Sequence, residues 1–138
     1  MPILDTVVLF AAADVGDRFH RDSRGRLRNA SKETMLGTFA LLEFDLVLKS
    51  RGSTAEQRSD LMVLLLKDFA NLATAIHSVS PSTIAIAAQL ESRFGLDYFD
   101  ALLASESMEH DGIIVSSDRE FDRIPGLKRV PIAPKAEA

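Results

Sequence analysis

Four carboxylates in this 138-residue chain stand where a carboxylate needs a reason: Asp5, Glu43, Asp100 and Asp118. Asp5 interrupts an apolar opening, "PILDTVVLFAAAD", and Asp is seldom fully buried without a partner. Either it caps the start of a helix or some other group compensates its charge. Glu43, in "TFALLEFDLVLK", lies two residues from Asp45, about 200° away around a helix at ~100° per residue. It shares its face with Phe39, Ala40 and Val47, so it points inward or snorkels along apolar surface. Asp45 and Lys49 form a favourable i,i+4 pair on the outer face. Asp97 and Asp100, in "GLDYFDALLAS", admit a purely structural reading as N-cap and first-turn acids. So does Asp118 in "VSSDREF", where Ser117 and Glu120 have capping-box spacing. Together, Asp5, Glu43, Asp100 and Asp118 lie on four separate elements. If they converge uncompensated they repel, and some stay protonated. A divalent cation such as Mg²⁺ or Mn²⁺ removes that cost with oxygen ligands. Spacing alone leaves open whether they meet.

The elements that must position them alternate in type. Ile3-Leu4 reads as the end of a short buried strand, with a helix starting at or just after Asp5. Asp17–Asn29 is polar and helical in pattern, weakened by Gly25. Met35–Arg51 reads as one helix closed by Gly52. Ser53–Glu56 ("STAE") is a capping box for a helix reaching Phe69. Ala75–Val79 suits a strand. Ser80 as N-cap and Pro81 at the first helical position open a helix ending at Phe94-Gly95. Asp97–Glu109 is a further helix, Gly112–Ser116 a buried strand and Arg129–Ile132 a last short strand. Short strands alternating with longer helices predict an α/β fold with a parallel sheet. Asp5 and Asp118 each follow an apolar strand, at the carboxyl ends where such sheets place their sites.

Composition narrows the function classes. The chain is 46% hydrophobic and 26% charged, ordinary for one globular domain. It has no cysteine, which excludes disulfides, thiol nucleophiles and zinc-thiolate sites. A basic segment ahead of a hydrophobic stretch is lacking, so no secretory signal is expected, and the location expected is cytoplasmic. The apolar runs Val7–Ala13 and Leu61–Leu66 are too short to span a bilayer. A net charge of -4 argues against nonspecific coating of nucleic acid. Arg18, Arg21, Arg24, Arg26 and Arg28 nevertheless crowd one segment, as a solvated face or as a patch for phosphates or an acidic partner.

In order, spacing and context, "ILDTVVLFAAAD", "LLEFDLVL", "FDALLAS" and "IIVSSDREFDRIPGL" resemble the PIN-domain ribonucleases, especially the VapC-type toxins of prokaryotic toxin–antitoxin pairs. The resemblance covers most of the chain. It implies a three-layer α/β/α domain with a short central parallel sheet over residues 1–132, followed by a flexible tail, 133–138. It also implies that Asp5, Glu43, Asp100 and Asp118 bind one or two Mg²⁺ or Mn²⁺ ions. The implied activity is metal-dependent endoribonuclease, with Asp5, Asp100 and Asp118 as direct ligands and Glu43 as a ligand or as the group orienting the attacking water. The Arg-rich segment and Arg119 would hold the RNA backbone. A cognate antitoxin and a homodimer are the partners implied. The family commonly has Asn two residues after its first Asp; here Val7 stands there, with Thr6 keeping a hydroxyl nearby.

Val7 keeps a second reading open, a non-catalytic PIN module that binds RNA or a protein. A phosphoryl-transfer domain with Asp5 as nucleophile is disfavoured. The haloacid-dehalogenase pattern needs an Asp where Val7 sits, and no lysine follows a late strand as in receiver domains. Asp97 is expected to cap its helix and Asp122 to pair with a nearby Arg or face solvent. His20, His77 and His110 lack ligand spacing, and Phe39, Phe44, Phe69, Phe94 and Phe99 read as core.

Overall fold

The computed structural model describes residues 1–74 and 76–135. Its centre is a parallel sheet of four very short strands, β1 Ile3–Leu4, β2 Met35–Leu36, β3 Ile113–Val115 and β4 Lys128–Val130, in the order β2-β1-β3-β4. Leu4 pairs with Leu36 on one side and Val115 on the other, and all three are essentially without solvent exposure. Parallel strands survive at this length because helices cover both faces and every apolar side chain is sealed from water. Six helices do so: α1 Thr6–Ala13, α2 His20–Arg28, α3 Thr38–Ser50, α4 Ala55–Asp68, α5 Pro81–Phe94 and α6 Tyr98–His110. The result is the expected α/β/α arrangement. Phe39, Phe44 and Phe69 are buried in the core, with Phe94 and Phe99 packed against it.

Several boundaries differ from the sequence reading. Met35-Leu36 is a strand rather than the first turn of a long helix, because Leu36 finds a buried partner in Leu4 and Gly37 then ends the strand. A two-residue apolar strand cannot be told from a helix start by periodicity. The second helix begins only at His20, after a turn in which the Asp17 carboxylate accepts the Phe19 N–H at 2.8 Å. The capping box before α4 is Thr54 with Gln57, one residue along from Ser53–Glu56. Ile76 makes a single parallel bridge to Leu36, and Ala75 lies outside the described residues. Asp45 pairs with Arg58 at 3.0 Å instead of with Lys49. Ser80, Pro81 and left-handed Gly95 bound α5 as expected. Asp97 caps α6. Asp122 pairs with Arg129 at 3.0 Å. Beyond β4, Ala133 N–H donates to Asp22 and Lys135 N–H to the Arg18 carbonyl, which lays this segment along α2. The last residues of the expected tail, 136–138, lie outside the described residues.

Candidate active site

Asp5 ends β1 and begins α1. Its backbone N–H donates to the Val115 carbonyl at 3.0 Å, which continues the β1–β3 ladder. One side-chain oxygen accepts the Thr6 N–H at 2.6 Å, as an N-cap does. The other accepts the Ser116 hydroxyl at 2.5 Å. Ser116 is fully buried, and its hydroxyl oxygen in turn accepts the Asp118 N–H at 2.9 Å. One serine therefore ties the carboxylate after β1 to the loop after β3. Ser117 and Glu120 do not form the expected box; Asp118 itself caps a 3₁₀ turn over 119–123 by accepting the Glu120 N–H.

Asp5, Glu43, Asp100 and Asp118 line one cavity of about 680 Å³. They come from the end of β1, the middle of α3, the first turn of α6 and the loop after β3. Asp5 is only 6% exposed, and its burial pushes the carboxyl up to about 6 despite the Ser116 and Thr6 hydrogen bonds. Burial also drives Asp100 up, to about 8, with the negative charges of Asp97, Asp5 and Asp118 adding to it. That is well above its ordinary value although Asp100 sits at the positive end of α6, so crowding outweighs the helix dipole here. Burial raises Glu43 as well, opposed by the Thr6 hydroxyl and reinforced by Asp97. The Thr6 Oγ1 is buried and outside full hydrogen-bond geometry to any described group.

Among the described residues, no three His, Asp or Glu side chains form a ready-made metal-binding set. The donor chemistry still fits a hard divalent cation: the cavity offers carboxylate oxygens from four elements, and Asp5 and Asp100 are held up by burial first and by neighbouring negative charge second, both of which a bound cation offsets. The two hydrogen bonds to Asp5 leave lone pairs on both its oxygens. Asp14 and Asp17, which the sequence reading did not single out, line the same cavity and deepen its negative character; Arg51 is the cation that lines it among the described residues. Val7 also lines it, so the position where the resemblance implies Asn borders the same cavity as the carboxylates. Arg119 is exposed and does not line the cavity.

A second buried acid was missed by sequence reasoning. Glu106 lies on α6, six residues beyond Asp100, and has no solvent exposure. One oxygen accepts the Thr38 N–H at 3.1 Å. Helix α3 has no side-chain cap of its own, because its N-cap is Gly37, so Glu106 serves as that cap from another helix. A Cβ on Gly37 would stand 2.1 Å from the other Glu106 oxygen; glycine is required there by contact. That oxygen has no hydrogen-bond partner among the described residues, and neither does the nearby His77 Nδ1, 3.9 Å from the bonded oxygen. Burial pushes Glu106 up to about 7, against the pull of the Thr38 and Phe39 N–H groups. The carboxyl joins the helix bearing Glu43 to the helix bearing Asp100. Its signal was partial: Glu106 falls three and four residues after Leu103 and Leu102, though Glu109 and His110 follow it on the same stripe.

The family profile described as PIN domain matches residues 3–127, a span that contains all four cavity carboxylates. No curated protein matches the chain in sequence. Among solved structures, a chain of VapBC2 from Rickettsia felis, bound to a DNA fragment from its promoter, has a TM-score of 0.68 at 18% identity, covering 94% of this chain and 96% of that one. FitAcB from Neisseria gonorrhoeae gives 0.69 at 17% identity, over 94% and 96%. A toxin–antitoxin complex from Klebsiella pneumoniae gives 0.63 at 17% identity, over 92% and 95%. At these identities the likeness speaks for the backbone. With short parallel strands, carboxylates gathered beyond their carboxyl ends and a profile running from β1 past the Asp118 loop, the chain belongs to the PIN domain family.

Proposed function

We propose that this protein is a metal-dependent endoribonuclease that hydrolyses RNA phosphodiester bonds, and the toxin of a VapBC-type toxin–antitoxin pair. The observation that carries this reading is one cavity lined by carboxylates from four elements, two of them raised well above the ordinary range by burial and mutual repulsion. PIN domains are in general nucleases, which supports the reaction class. Asp5, Asp100 and Asp118 would hold Mg²⁺ or Mn²⁺, and Ser116 fixes the orientation of Asp5. Once bound, the ion supplies charge stabilisation at the phosphate and a more acidic water. Glu43, reaching in from α3, orients the attacking water and takes its proton as the new P–O bond forms and the old one breaks.

The antitoxin partner is supported by the Klebsiella pneumoniae neighbour, itself a toxin–antitoxin complex. Exposed Leu42, Leu46, Val63, Leu64 and Leu66 on α3 and α4 provide apolar surface for protein contact. No helix among the described residues is long and apolar enough to cross a membrane; we place the protein in the cytoplasm, as a homodimer. The test is cleavage of single-stranded RNA by purified protein with Mn²⁺ or Mg²⁺ and with EDTA, comparing wild type with Asp100→Asn. Metal-dependent cleavage that Asp100→Asn abolishes is expected; a fully active variant overturns the assignment. Val7 favours one other reading, a binding module with little or no cleavage, because an apolar side chain replaces a polar one at the cavity. Absence of cleavage at millimolar Mn²⁺, with RNA binding intact, would decide for it.

A further inference from the structure

We infer that Arg21, Arg24, Arg28 and Lys135 form a cradle for the sugar–phosphate backbone of single-stranded RNA beside the carboxylate cavity. This deepens the nuclease reading and rests on it for the identity of the polymer. Arg21, Arg24 and Arg28 fall at i, i+3 and i+7 of α2 and line one concavity of about 510 Å³ with Lys135. On a helix that spacing is a single stripe ~10 Å long at ~1.5 Å per residue, more than one phosphate needs. Lys135 reaches it because its backbone N–H is held by the Arg18 carbonyl at 2.7 Å, bringing the two ends of the sequence to one surface.

The charges there are unspent. Arg21, Arg28 and Lys135 are exposed and have no ion-pair partner among the described residues. Arg24 is anchored instead: it lies over the Phe69 ring at 4.8 Å and donates to the Ala12 carbonyl at 3.4 Å, its distance to Asp68 being 4.0 Å. Arg26, from the same run, is spent on Asp22 at 2.9 Å and points elsewhere. So the Arg-rich segment divides into a structural member and a phosphate-facing stripe. Asp17 lines both this concavity and the carboxylate cavity, so the two adjoin. A cation-lined groove next to a cavity crowded with acids suits a polyanion that touches the acids at one phosphate and the arginines at its neighbours.

The experiment is fluorescence anisotropy of a labelled single-stranded oligoribonucleotide with the full chain in EDTA, where no cleavage occurs, across a salt series. Arg21→Gln/Arg28→Gln/Lys135→Gln removes three exposed cations without touching the packed Arg24. Each phosphate contact contributes about -0.7 to the slope of log affinity against log salt, so this variant should flatten the slope by ~2 and weaken binding at low salt. A charge-matched control, Lys49→Gln/Lys67→Gln/Lys128→Gln, carries the same loss of charge on exposed residues outside the concavity and should leave the slope unchanged. An unchanged slope in the cradle variant overturns the inference and leaves the groove to a protein partner. An equal loss in the control overturns it too, since net charge alone then governs binding. Neither result depends on whether RNA is cut, so failure of the nuclease reading is read separately, from the cleavage assay.

Discussion

Glu106→Gln isolates the cost of a buried charge from the hydrogen bond that the same group makes. The glutamine carbonyl still accepts the Thr38 N–H, while the negative charge is gone. In the folded protein the carboxyl is raised from 4.5 to about 7. A raised carboxyl holds its proton in the native state at pH values where the unfolded chain has released it. The native state therefore binds more protons between those two values, and stability falls as pH rises through that window. Below pH ~4.5 wild type and variant are both neutral at this position and differ only by the amide. Above pH ~7 the penalty is complete. A shift of that size corresponds to about 3 kcal/mol at ~1.4 kcal/mol per pH unit. The amide N–H₂ takes the place of the oxygen that has no partner, and leaving a polar group unsatisfied costs about 1 kcal/mol. The variant should therefore be more stable than wild type by about 2 kcal/mol at pH 8 and slightly less stable at pH 4.5. Urea unfolding in EDTA at a series of pH values measures this directly, provided the slopes m agree between the two proteins. A stability difference that does not change with pH would refute the reasoning. So would a variant weaker than wild type at pH 8, since the attraction of the α3 N-terminus would then outweigh the burial of the charge.

Gly37→Ala drives a methyl into Glu106 and should destabilise by about 1–3 kcal/mol as an overpacking change; Glu106→Ala in the same chain should recover part of that loss in a double-mutant cycle. Asp97→Ala removes the N-cap of α6 and should cost about 1 kcal/mol in chemical denaturation, with modest loss of cleavage. Val7→Asn places an amide at the cavity, and isothermal titration should show Mn²⁺ binding tightened roughly 10–100-fold. Equal affinities would mean that the apolar side chain there does not weaken the metal site.

The parts of the fold that could be read from sequence were those whose determinants are local. The Ser80-Pro81 start and Gly95 stop of α5, the Asp97 cap and the apolar strand before Ser116 all carry their own chemistry within a few residues. The carboxylates were legible one by one through their conflict with apolar neighbours, while their meeting in one cavity depends on pairings far apart in the chain. What escaped was tertiary. Met35-Leu36 is a strand only because Leu4 lies beside it, and Asp45 turns from Lys49 to Arg58 only because α4 folds back along α3. Glu106 escaped for the same reason. A lone acid within "ALLASES" looks like a tolerated surface residue until Gly37 and the uncapped end of α3 are seen against it.

The pairing of β1 with β3 also governs when the carboxylate cavity can assemble during synthesis. Asp5 is made 111 residues ahead of its hydroxyl partner Ser116, with its ladder partner Val115 and the acid Asp118 beside that serine. Strand β1 lies between β2 and β3, so without β3 it keeps a partner on one side alone. A nascent chain stopped before Gly112 holds Asp5, Glu43 and Asp100 but cannot close the sheet that gathers them. Non-local pairing of this kind is slow and comes late in folding, and domains fold as units once their sequence has emerged. Topology thus keeps the four-carboxylate cavity unassembled until almost the whole domain is out.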